Sequence, residues 1–104
     1  MMTNARLVLA LQRLATPARE QVRHLDEIGA NGSADELGLE FDEAATGASL
    51  SPDAKHRVSV LDAYMTSISG PTNAQLWTFD ALRTRAEWKE VRRLAQEALA
   101  AIAS

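Results

Sequence analysis

Helical periodicity between proline and glycine breaks most limits the folds open to this chain. Proline and glycine fall mostly between stretches whose apolar residues recur every three or four positions. Leu7, Leu11 and Leu14 share one face of a helix predicted over 4–15. Val8 and Leu9 lie off that face, so the helix is apolar nearly all round, as in helices that are central or sit in a subunit contact. Thr16-Pro17 reads as an N-cap followed by proline in the first turn. It opens a second helix to about Ile28, with Ala18, Val22, Leu25 and Ile28 inward and Gly29 as its stop.

Ser33-Ala-Asp-Glu36 has the form of a capping box and predicts a third helix, with Leu37, Phe41, Ala44 and Ala45 inward. Leu37, Leu39 and Phe41 also alternate as a strand would, and Gly38 costs a helix about 1 kcal/mol relative to alanine. The cap, and the lack of a convincing partner strand elsewhere, favour the helix. Ser51-Pro52 repeats the cap-plus-proline signal for a helix from 52 to about 69. Its stripe is Ala54, Val58, Leu61, Met65 and Ile68, and Gly70-Pro71 ends it. A short helix over about 73–82 offers Leu76, Trp77, Phe79 and Leu82. Thr84-Arg-Ala-Glu87, a second capping box, opens a helix over 85–102. Trp88, Val91, Ala95, Ala98 and Ile102 share its inner face, with Leu94 and Leu99 at the edges. The expectation is one all-α domain over 1–104, five or six helices in a compact orthogonal or bundle arrangement.

A chain of 104 residues can bury one core unaided, and the lack of cysteine excludes disulfides and thiolate metal sites. Arginine outnumbers lysine nine to two, a bias that a GC-rich bacterial genome produces through its codons. The apolar run Leu7–Leu11 is too short, and its flanks are wrong, for a secretory leader. The run Ala98–Ala103 is far short of a membrane span. A soluble cytoplasmic protein without membrane contact is expected.

The net charge of −3 conceals an asymmetry. Between Leu25 and Ala54 stand eight acids and no base, while the rest carries eleven bases and six acids. Such a division steers partners more than it determines a fold. Its densest part is Asp35, Glu36, Glu40, Asp42 and Glu43. On a helix Glu36, Glu40 and Glu43 form one ridge at i, i+4, i+7, and like charges at that spacing cost a few tenths of a kcal/mol each. Leu39 points away from the core between Asp35 and Asp42. An apolar residue flanked by carboxylates suits a basic partner, so the candidate partner-binding residues are Asp35, Glu36, Leu39, Glu40, Asp42 and Glu43. The competing reading is a solvated face balanced by the chain's own arginines.

Other chemistry is poorly supported. Asn31, Ser33, Asp35 and Asp42 have some of the spacing of a calcium loop, but Glu36 replaces the turn glycine and the bidentate glutamate is missing. His24 and His56 project outward with no nucleophile or orienting acid in a recognisable context, so no catalytic set is assigned. Trp88 is expected to anchor the last helix and Trp77 to cap one end of the core. Arg85, Lys89, Arg92 and Arg93 give the last helix a basic side, but Glu87, Glu90 and Glu97 flank it, which argues for internal ion pairs over nucleic acid. Phosphate-binding glycine loops are absent.

In size, charge and helix content the chain is similar to small acidic helical proteins that serve as immunity proteins or antitoxins, a likeness of type that no motif carries. The expected function is non-enzymatic: a protein-binding module, without cofactor or metal, that engages a basic partner through its acidic face. The alternative is a structural or self-associating protein with a homodimer seam through Val8 and Leu9.

Overall fold

The computed structural model describes residues 4–30 and 32–103, so Asn31 of the calcium-like spacing lies outside the described residues. The fold is all-α. Its helices are α1 (Ala5–Ala15), α2 (Ala18–Glu27), α3 (Asp35–Ala45), α4 (Pro52–Ser67), α5 (Phe79–Thr84) and α6 (Ala86–Ala103), with a 3₁₀ helix over Pro71–Leu76. Among the described residues no helix is long and apolar enough to cross a membrane. The radius of gyration, 13.0 Å, is that of a compactly folded chain of this length.

α1 is a central helix. It packs against α6 on one side and α3 on another, burying Leu7, Ala10, Leu11 and Leu14. α6 lies between α1 and α4 and buries Trp88, Val91, Leu94, Ala95 and Ala98. α4 buries every residue of its expected stripe, and the helix starts as its sequence requires. Ser51 Oγ accepts from the Ala54 N–H at 3.3 Å, with Pro52 in the first turn. α3 is held mainly by α1 and touches α4 only lightly, so a groove remains between α3 and α4.

Local capping departs from expectation in four places. Pro17 itself occupies the N-cap of α2, and Thr16 ends α1 without a side-chain cap. The first capping box does not form: Ala34 is the N-cap, and Ser33 Oγ instead accepts from the Asp35 N–H at 3.1 Å. The second does not form either, because Thr84 is the last residue of α5 and its hydroxyl donates back to Asp80 O at 2.9 Å. The helix expected over 73–82 is divided into the 3₁₀ helix and α5, with Thr78 Oγ1 accepting from the Ala81 N–H to start the latter. The division lets two loops pair. Ala34 N donates to Trp77 O at 2.9 Å and Phe79 N to Gly32 O at 3.2 Å, around an isolated antiparallel bridge between Ser33 and Thr78. A long-range contact therefore overrides a local helical signal.

α2 contains a second departure. Ile28 is 47% exposed, because the helix closes one residue earlier. Ala30 N bonds Leu25 O and Gly29 N bonds Asp26 O, a Schellman closure for which Gly29 takes φ +75°. The inward position falls instead to Gln21, which is completely buried. Its Nε2 donates to Arg13 O and Leu14 O, both at 3.1 Å, meeting carbonyls that the end of α1 leaves free. Its Oε1 accepts from Arg92 Nη2 at 3.0 Å, and Arg92 also donates to Leu82 O at the end of α5. One amide thus ties α1, α2 and α6 together, with α5 joined through Arg92. Burial depresses the Arg92 pKa, the expected sign for a partly desolvated cation.

Gln21→Leu roughly keeps the volume, strands two carbonyls and leaves the Arg92 guanidinium with Leu82 O alone. It is expected to lower stability by about 2–4 kcal/mol, read as a reduced urea midpoint at unchanged slope. A loss within experimental error would show that water or rearranged side chains replace the amide.

Candidate functional site

α3 has an inner ridge on which the chain pairs Glu40 and Glu43 but not Glu36, and an outer ridge that forms no ion pair among the described residues. Glu40 faces α1 and α2: its Oε2 lies 3.0 Å from His24 Nε2 and its Oε1 3.4 Å from Arg13 Nη1. His24 is therefore a half-buried partner of a carboxylate, where the sequence predicted an exposed imidazole. Its ring and Glu40 link α2 to α3, a contact no sequence spacing announces. Glu43 pairs with Arg6 at 3.2 Å, but both side chains are 77% exposed, and such a pair contributes little. Among the described residues Asp35, Glu36 and Asp42 make no ion pair. Leu39, between Asp35 and Asp42, is 58% exposed.

The outer ridge borders the groove toward α4. Asp35, Leu39 and Asp42 stand at i, i+4, i+7 on α3, and Asp62, Thr66 and Ser69 follow the same spacing along α4 and its end. The groove between these two ridges holds about 370 Å³. Phe41, Met65 and Trp77 form its apolar lining, of which Phe41 and Met65 are buried and Trp77 half-buried. It continues past Asp42 and Asp62 into a more polar hollow, where the C-terminal half of α3 faces the N-terminal half of α4. Lys55 lines that hollow and forms no ion pair with either aspartate among the described residues. On the other side of Leu39 another hollow includes Ile28, Asp35 and Glu36.

Gly38 explains how the groove acquires its floor. A Cβ at position 38 would lie 3.2 Å from two atoms of the Trp77 ring. The glycine that weakened the helical reading of 34–45 is thus where an indole lies against the helix. That indole is fixed. Trp77 Nε1 donates to Ile68 O at 2.8 Å, and its ring meets Trp88 edge-on at 5.1 Å between centroids. Trp88 is fully buried and donates from Nε1 to Leu76 O at 2.6 Å. The expected anchor role of Trp88 is present, and Trp77 serves both core and groove.

The basic side of α6 is largely used within the chain. Arg93 pairs with Glu90 at 2.7 Å and Glu97 at 2.6 Å, and Arg57 joins Glu97 at 3.1 Å. The hydrogen bond to Arg93 holds the Glu90 carboxyl below its ordinary pKa and raises that of Arg93. Arg92 turns inward to Gln21, and Arg85 approaches Glu87 at 3.6 Å. Tyr64 packs against the core, its phenol pKa raised by burial and then by Glu87 and Glu90. α1 spends most of its apolar surface within the fold: Val8 is half-buried and Leu9 is 46% exposed. Asp62 and Met65 escaped the sequence reading as site residues, because only the packing of α4 beside α3 brings them to Leu39. Among the described residues no three His, Asp or Glu side chains are grouped to hold a metal ion.

Comparison of the chain with protein-family models, with curated proteins and with solved structures finds no match.

Glu40→Gln is expected to cost roughly 1 kcal/mol of stability, and Glu43→Gln at most a few tenths, since only Glu40 is partly buried with two partners. Equal urea midpoints for the two variants would remove the distinction between them. Gly38→Ala tests the indole contact. Helix propensity favours alanine by about 1 kcal/mol, while crowding a well-packed contact costs about 1–3 kcal/mol. The variant is expected to be no more stable than the parent, with a shifted tryptophan emission spectrum. A clear gain in stability with unchanged emission would show that Trp77 does not press on α3.

Proposed function

We propose that this protein is a non-enzymatic binding module that engages a basic protein partner through the outer face of α3. The observation that carries this reading is Leu39, more than half exposed between two carboxylates, Asp35 and Asp42, that make no ion pair among the described residues. An exposed leucine set among unneutralised acids offers apolar contact area to a partner whose own charges are positive. Several of the chain's bases pair with other acids, Glu40, Glu43, Glu87, Glu90 and Glu97, while Lys55 lies in the adjoining hollow without an ion pair to Asp42 or Asp62 among the described residues. The contact surface is accordingly Asp35, Glu36, Leu39 and Asp42, with Ile28 beside it. Glu40 and Glu43, paired within the chain, stand at the margin of this surface. Inhibition of a basic toxin or nuclease, in the manner of immunity proteins or antitoxins, is one concrete form. Association is then fast and sensitive to salt, because charge complementarity acts chiefly on encounter.

Self-association is the second reading. With Val8 half-buried it rests on Leu9, and light scattering of the wild type and Leu9→Lys decides it. A salt-insensitive dimer dispersed by Leu9→Lys would favour it over the acidic face.

Asp35→Lys/Asp42→Lys alters two exposed, unpaired positions and is expected to fold as the parent does. Used as bait in a cell extract, it is expected to lose the partner retained by the wild type. The purified partner is expected to bind the wild type more weakly as salt rises. Retention of the same partner by both baits would sink the proposal.

A further inference from the structure

We propose that the groove between α3 and α4 receives a single basic side chain, lysine or arginine, from the protein partner. This rests on the partner-binding reading and adds its anchor point. Three features meet there. Asp35 and Asp42 on one wall and Asp62 on the other are exposed and, among the described residues, form no ion pair; with Lys55 alone in the adjoining hollow, three carboxylates against one ammonium leave an excess of negative charge from both helices. The lining beneath them is apolar, with Met65 and Phe41 beside the half-buried Trp77 ring. The groove, about 370 Å³, has room for a long side chain to enter.

A long basic side chain satisfies both halves of this chemistry. Its methylene stem packs on apolar surface while its charged head stays near carboxylates and water. A fully apolar anchor would strip water from the aspartates without pairing them. An acidic anchor would meet three like charges. A bare metal ion is disfavoured by geometry, since the carboxylates are not grouped to coordinate one. Trp77 is positioned in advance by its bond to Ile68 O and its contact with Trp88, so little ordering is left for binding to perform.

The probe is a short leucine–lysine peptide of helical pattern, titrated at low salt into the isotopically labelled full chain. The expected result is movement of the Gly38, Leu39, Thr66 and Gly70 amides and of the Trp77 indole N–H, with the buried Trp88 indole moving less. Asp62→Asn, which removes charge from the α4 wall alone, is expected to weaken binding by about three- to fivefold. Thr66→Trp, which fills the groove and keeps every carboxylate, is expected to weaken it by about tenfold. Both positions are exposed, and chemical-shift dispersion verifies that each variant folds. Wild-type affinity in both variants, absence of binding at low salt, or movement confined to the hollow around Ile28 and Glu36 would overturn the proposal. So would free cadaverine binding as tightly as the peptide, which would make this a small-amine site, or dimerisation of the chain that Thr66→Trp abolishes. If Asp35→Lys/Asp42→Lys loses the cellular partner while Asp62→Asn and Thr66→Trp keep it, only the groove fails. If all baits keep the partner, the acidic face itself fails.

Discussion

The edge-on contact between Trp77 and Trp88 is the constraint on which the rest of the molecule turns. Trp88 places the middle of the core on α6, where it is sealed from water and bonded to the Leu76 carbonyl. Its neighbour, 5.1 Å away at 83°, carries that order outward to the surface between α3 and α4. Each indole N–H finds a backbone carbonyl, so neither large ring is buried at the expense of an unpaired donor. Gly38 is the matching concession on α3: the helix accepts its poorest ordinary residue so that an aromatic ring can lie against it.

A second set of contacts works by satisfying helix ends. The carbonyls at the close of α1 would be orphaned in the interior, and Gln21 meets them with its amide while holding Arg92. Arg92 in turn meets the end of α5 through Leu82 O. A leucine at either position would bury more apolar area and leave several polar groups without partners, a worse exchange in a low-dielectric interior. These side chains hold the short helices α2 and α5 in register against the α1–α6 pair.

Against this frame, α3 divides its charges by orientation. The ridge that faces α1 and α2 is met by Arg13, His24 and Arg6, and the ridge that faces α4 forms no ion pair among the described residues, although Lys55 lies in the hollow beside Asp42. The charge of α3 is thus balanced unevenly around its axis. Asp62 extends that negative surface onto α4, and Asp53, which belongs to the base-free stretch of sequence, approaches Arg57 at 3.9 Å. Proximity in sequence therefore misjudged which acids form one electrostatic feature.

Much of the fold was legible because it depends on short-range periodicity. The inner faces of α1, α4 and α6 follow from apolar residues three and four apart, and Ser51-Pro52 marks its helix start through contacts within one turn. Gly29 and Gly70 mark helix ends for the same reason, since both take positive φ that other residues avoid. The capping boxes failed at Ser33 and Thr84 because neighbouring backbone offered those hydroxyls other partners. Ile28 moved outward and Gln21 inward because helix closure and a long-range amide network outweighed the apolar pattern. The exposed Leu39 and its flanking acids could be read from residue order alone. That Glu40 is occupied by His24, that Asp62 faces Leu39 across a groove, and that Trp77 floors it were decided only by tertiary packing. Each joins residues far apart in sequence, whose meeting depends on how whole helices cross and not on any local spacing.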